Sequence, residues 1–208
     1  MKKIFAIVLG AALMLSATNA FAQLSVGAGW LNTTESTVVT NGNNSNTNNV
    51  NLNGFYAGAQ YNFAIVSGLG IAPGVYFSGL FGKRTDDWVI TTGESKFTEL
   101  SINVPVNVNY TIGIGSDFNV ILYAGPIFQY GVSCKGNYTV GNTTNTTNYY
   151  EGDNHRNPFN VYVGGGAGIQ AGQFQVLIGY DHSVTNMITR DNTTVGRSQI
   201  KLGVGYAF

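Results

Sequence analysis

Asp181-His182-Ser183 is the one run in this sequence that sets an acid, a base and a hydroxyl nucleophile side by side. Such a set can cleave or transfer an ester when the base reaches the nucleophile and the acid orients the base. Consecutive residues on an extended strand alternate faces, so His182 points away from both neighbours. The expectation is therefore of no catalytic site. Metal binding is equally weakly supported: His155 and His182 are the only histidines, and Asp153-Asn154-His155 has no second ligand cluster at useful spacing. Cys134 is the lone cysteine, so it forms no internal disulfide and reads as an inert residue flanking a loop. The glycines of 164–168 lie inside a strand rather than opening a helix, which excludes a phosphate cradle. No cofactor is expected.

Charge offers a second chemistry. Glu99, Asp181 and Lys201, with Arg197 near one rim, fall on the small or polar face of alternating segments. Charges enclosed there must be paired. Asp181 and Lys201 lie on neighbouring strands, so these groups are expected to form a structural ion-pair network filling the interior. The functional alternative is a narrow proton or ion path.

The elements that position these groups follow from a side-chain period of two, the mark of a strand. In 198–208, Ile200, Leu202, Val204, Tyr206 and Phe208 share one face, while Gln199, Lys201, Gly203, Gly205 and Ala207 share the other. The same pattern recurs in 24–30, 55–63, 69–81, 99–110, 118–130, 159–170 and 174–181. Eight strands result, each near the ~10 residues a tilted strand needs to cross hydrocarbon. With only 10 % charged residues the chain has too little charge for an ordinary soluble surface. A membrane barrel instead turns the large apolar face to lipid and the small polar face inward. The fold expected is all-β: an eight-stranded antiparallel up-and-down transmembrane β-barrel, its last strand pairing with 24–30 to close the ring, since an open edge cannot survive in lipid.

Connections alternate in length. Those near 32–50, 82–96, 131–157 and 183–197 are long and polar; those near 64–69, 111–117 and 171–173 are short, with Gly68, Gly113, Gly115 and Gly172 supplying turn conformations. Barrels of this kind have short periplasmic turns and long external loops. The Asn/Thr-rich stretches 41–49 and 137–149 read as mobile external loops. Aromatic girdles are expected from Phe63, Tyr110, Phe118, Phe174 and Phe208 at the short-turn ends. Their counterparts at the long-loop ends are Trp30, Phe81, Phe97, Tyr130, Phe159 and Tyr180.

The first residues read as a secretory leader. Lys2-Lys3 precedes the apolar stretch 4–15, and Ala20-Phe21-Ala22 offers cleavage before Gln23. The expected organisation is a signal peptide over 1–22 and a barrel domain over 23–208, exported to the outer membrane of a Gram-negative bacterium. Formal charge is zero, so nothing points to nucleic acid.

Glu99-Leu100-Ser101-Ile102-Asn103-Val104-Pro105-Val106 and Leu122-Tyr123-Ala124-Gly125-Pro126-Ile127-Phe128 resemble the fourth and fifth strands of the PorT-like outer-membrane β-barrel proteins of Bacteroidetes. So do Gly164-Gly165-Gly166-Ala167-Gly168 and the ending Leu202-Gly203-Val204-Gly205-Tyr206-Ala207-Phe208. The likeness spans the chain from residue 23 on and implies an eight-stranded barrel. It also suggests that Pro105 marks a tolerated bulge. Resemblance to outer-membrane proteins generally implies that Tyr206 and Phe208 are read by the barrel-assembly machinery. The role expected is non-enzymatic, structural or interactive, with lipid, other outer-membrane proteins or an extracellular ligand as partners. Rivals are a component of an export or assembly complex, a lipid-modifying enzyme and a small pore.

Overall fold

Alternation of face along each segment has a direct structural outcome: large apolar side chains stand outward and exposed, while polar ones turn inward and are buried. Phe77 and Phe174 are 62 % and 69 % exposed, whereas Glu99, Gln129 and Asp181 are at most 2 % exposed. Leaving one such aromatic in water forfeits about 1.5–3 kcal/mol, and a whole ring of them does so many times over. Lipid is the solvent that removes this cost. The computed structural model describes residues 22–42, 44–84, 95–115, 117–140, 143–151 and 156–208. The expected leader lies outside the described residues except for Ala22, as does His155.

Among the described residues nine strands carry the fold: β1 (Ala22–Asn41), β2 (Asn44–Val66), β3 (Leu69–Arg84), β4 (Ser95–Gly113), β5 (Phe118–Val140), β6 (Thr143–Asn148), β7 (Phe159–Ala171), β8 (Phe174–Ser183) and β9 (Thr193–Ala207). All pairings between them are antiparallel. Eight form a closed ring, and β6 stands outside it, folded back on the far end of β5. Closure is by β9 on β1, from Ser25↔Ala207 up to Val39↔Thr193, which includes the expected contact with 24–30.

Several expectations need correction. The stretch 32–50 is not a loop: β1 and β2 stay in register from Ala22↔Phe63 to Asn41↔Asn44 and turn at Gly42, whose φ is +60°. The stretch 131–157 is likewise mostly a hairpin, with Val140↔Thr143 at its tip. Polar composition had suggested loops, but Thr is β-branched and favours strands. Two strands that pair beyond the membrane also satisfy each other's backbone groups without burying a core.

Phe97 is not in the aromatic girdle. It sits inside the mouth with Leu31, Leu52, Leu80 and Cys134, because it shares the inward parity of Glu99. Cys134 is fully buried there rather than flanking a loop. Pro105 causes no bulge. The register between β3 and β4 is the same on both sides of it, and the ladder lapses between Pro73↔Val106 and Tyr76↔Asn103. The register between β4 and β5 shifts instead between Leu100 and Ser101, where β5 carries the extra residue Val132. Gly68, Gly115 and Gly172 take positive φ at the short turns, but Gly113 ends β4 without it.

Candidate functional site

Two layers of charge occupy the interior, built on Arg197 and Lys201 of the inward face of β9. The upper layer centres on Arg197, which is wholly enclosed. Its Nη1 and Nη2 donate to Glu99 Oε1 and Oε2 at 2.8 and 2.7 Å, a bidentate fork, while its Nε donates to Glu35 Oε2 at 2.9 Å. Arg156, from the connection between β6 and β7, reaches down into the same cluster. Its Nη2 lies 2.6 Å from Glu35 Oε2 and 3.4 Å from Glu99 Oε2, and its guanidinium stands over the Phe97 ring. Two carboxylates thus meet two guanidiniums with no net charge. That balance is what allows four ions to be buried at a cost of several kcal/mol each before pairing.

Around this cluster the mouth is filled. Cys134 donates its thiol to Glu99 at 3.6 Å. Tyr162 donates to Gln129 at 3.2 Å, Gln129 to Asn103 at 3.0 Å and Asn103 to Ser78 at 2.8 Å. Met187 from the β8–β9 connection and Val195 near the start of β9 pack over Ile127 and Tyr162. Arg156 is itself held by a bridge to Ile188, and Asn157 donates its backbone N–H to Met187 at 2.9 Å.

Two inward positions further down β9, Lys201 Nζ lies 2.6 Å from Asp181 Oδ2. This second pair looks into a cavity of about 440 Å³ that runs to the short-turn end, past Gln23 and Gly68. Of the inward residues singled out from the sequence, Asp181 and Lys201 are brought together. Glu99 belongs to the separate upper cluster with Arg197. Tyr206 and Phe208 stand at the opposite end on the outer surface, with ring centroids 5.0 Å apart.

Glu35 and Arg156 escaped the sequence reading. The alternation of 24–30, continued, turns Glu35 inward, but the polar composition of that stretch reads as loop. Arg156 lies outside any strand, so no periodicity points to it.

The run at 181–183 does not assemble. Asp181 and Ser183 are buried and His182 is exposed, as strand alternation requires. Ser183 Oγ accepts the backbone N–H of Arg197 at 2.7 Å. His182 instead meets Ser198 across the β8–β9 ladder, Nδ1 to Oγ 3.0 Å, on the outer surface.

A family model described as the outer membrane protein beta-barrel domain matches residues 4–208. Among solved structures, the chain is similar to Ail, the attachment invasion locus protein of Yersinia pestis, at 14 % identity. That match covers 88 % of this chain and 99 % of that one, with a TM-score of 0.44. It is similar to Neisserial surface protein A at 13 % identity, over 91 % of this chain and 100 % of that one, TM-score 0.42. The outer membrane enzyme PagL is 11 % identical over 84 % of this chain and 98 % of its own, TM-score 0.46. No curated protein matches the chain.

Proposed function

Because the chain belongs to the family of outer membrane protein β-barrel domains, we propose that it works in that membrane as a non-enzymatic surface scaffold. The observation that carries this reading is the sealed upper mouth. Glu35, Glu99, Arg156 and Arg197 join β1, β4, β9 and the β6–β7 connection in one buried cluster. Among the described residues a lumen closed this way leaves ions no continuous aqueous path, and Arg156 ties the β6–β7 connection to the barrel wall. At the same end, the described residues of the β1–β2 and β5–β6 hairpins present a surface rich in Asn and Thr. Asn32 and Asn53 bond side chain to side chain at 3.0 Å, and Thr34 and Asn51 at 2.9 Å. The partner is a protein or glycan at the cell surface, or a neighbouring subunit of an export or assembly complex. Resemblance of the fourth and fifth strands supports a place among the PorT-like proteins within the family. Crosslinking and pull-down from native membranes tests the scaffold. Specific partners are expected for the intact protein and none for a barrel lacking both hairpin tips. Partners that persist without the tips, or steady conductance in planar bilayers, would count against it.

One observation favours a second reading. His182 and Ser198 form an exposed base–hydroxyl pair at 3.0 Å near the outward end of β8 and β9. An ester-cleaving site facing the outer leaflet would use Ser198 as nucleophile and His182 as base. Lipid deacylation by the purified barrel, lost in Ser198→Ala and in His182→Ala, would establish it. Equal turnover in both variants and the parent would dismiss it.

A further inference from the structure

The cavity beneath the charge seal has a chemistry of its own. Among the described residues its only charged lining residues are Lys201 and Asp181, and they neutralise each other. Everything else that lines it is amide, hydroxyl, small aliphatic or tyrosine. An occupant with a net charge would have to bury that charge without a partner, which is costly. The cavity is therefore suited to a neutral molecule, and its volume of about 440 Å³ lies in the range of small-molecule sites.

Three polar atoms of its lining residues, each covered by neighbouring protein atoms, have no hydrogen-bond partner among the described residues. Asp181 Oδ1 and Asn109 Oδ1 can accept hydrogen bonds, and Gln199 Nε2 can donate. Buried polar atoms left in that state cost roughly 1–3 kcal/mol each. They are distributed along the cavity, Asn109 nearer the short-turn end and Asp181 with Gln199 just under the seal, cross-strand partners of one another. Between them stand Tyr56, Tyr76 and Tyr123, with Tyr56 and Tyr76 packed edge to face at 5.9 Å. The Tyr76 and Tyr123 hydroxyls already donate, to Gln60 and to the Ile178 carbonyl. They add flat carbon surface and spare acceptor lone pairs.

We infer that this cavity binds a small neutral saccharide admitted from the periplasmic end. A sugar ring offers hydroxyls around its rim, each able both to donate and to accept, and apolar C–H faces above and below. The cavity offers the complement: amide and hydroxyl side chains on the walls, Gln60, Asn62 and Asn107 among them, with aromatic and aliphatic surface between. Entry is from the side of the short turns, because the cluster of Arg197, Glu35 and Glu99 closes the other end. The site is independent of the surface scaffold reading, since no hairpin residue lines it.

The test uses the full chain folded in a detergent without a sugar headgroup, titrated with N-acetylglucosamine and with maltose and read by saturation-transfer NMR. Saturable binding of at least one sugar is expected, with a dissociation constant on the order of millimolar. Gln199→Leu removes the free donor and should weaken binding roughly tenfold. Leu177→Trp fills the cavity and should abolish binding, while Val176→Ala on the outer face should leave it unchanged. Heat-modifiable migration on a gel certifies that each variant is folded. No saturable binding of either sugar by the parent protein overturns the inference, whatever the variants do. So does undiminished binding by a folded Leu177→Trp barrel, or tighter binding of glucose 6-phosphate than of the neutral sugars.

Discussion

Arg197 and Lys201 stand on the same face of β9, but their surroundings give their charges different weight. The Arg197 side chain is fully enclosed and is the common partner of two buried carboxylates. Replacing it by Met leaves Glu35 and Glu99 facing each other with Arg156 alone, a loss of about 3–5 kcal/mol. Lys201 is 21 % exposed to the cavity and serves one carboxylate. Lys201→Met lets water solvate Asp181, so the expected loss is smaller, roughly 1–3 kcal/mol. Urea unfolding in lipid vesicles should rank the two variants in that order, both below the parent. Equal or reversed midpoints would mean that the upper cluster does not hold the barrel together. Cys134 reports on the same layer. Its thiol is buried against Glu99, so a maleimide should leave it unmodified in the folded barrel and label it fully once urea opens the mouth. Rapid labelling of the folded form would show that the seal admits solvent.

At the scale of strands, the membrane-crossing part of each element was legible and the part beyond it was not. The segment 198–208 shows why: a lipid-facing strand must place a large apolar residue at every second position, and that alternation is written in its sequence. Beyond the girdle both faces of a strand meet water, and the signal disappears. Thr37, Val38, Val39 and Thr40 have strand propensity, and Asn41-Gly42 is a hairpin signature, yet the surrounding asparagines gave the stretch a loop's composition. The upper charge cluster was only half visible: the alternation of β1 runs on to Glu35, but through a stretch with a loop's composition, and Arg156 lies on a connection. The Asp181–Lys201 pair lies within the alternating region, where facing could be read. Because the extension pairs mainly with itself and the end of β9, it should be separable from the barrel. Excising residues 37–48 and joining Ser36 to Asn49 through an Asn-Gly turn should leave heat-modifiable migration intact. Its stability should fall by no more than about 2 kcal/mol, the scale of a few exposed cross-strand pairs. Failure of this variant to fold would make the hairpin a part of barrel closure rather than a projection from it.

For the whole molecule, closure depends on β9 finding β1, the two strands furthest apart in the chain. Every other ring neighbour is joined by a hairpin or a local crossover, so this contact carries the largest loop-closure entropy and forms last on that account. Until it does, β1 and β9 both present open edges, which lipid does not tolerate. Phe208 sits at the end of that seam. Its backbone N–H donates to the Leu24 carbonyl at 2.9 Å, and its exposed ring lies against Tyr206, which in turn meets Phe174. Deleting Phe208 removes one hydrogen bond, about 0.5–1.5 kcal/mol, and a ring that faces lipid rather than the core. The folded barrel should therefore lose little. If Tyr206 and Phe208 are instead the pair that the assembly machinery recognises, the loss should appear as a rate. Pulse-chase labelling in cells is expected to show slow conversion of the deleted chain to the heat-modifiable form, while its refolding in pure lipid vesicles keeps the parent's rate. Equal slowing in cells and in vesicles would assign Phe208 to the seam itself, and no slowing in either would remove it from assembly altogether.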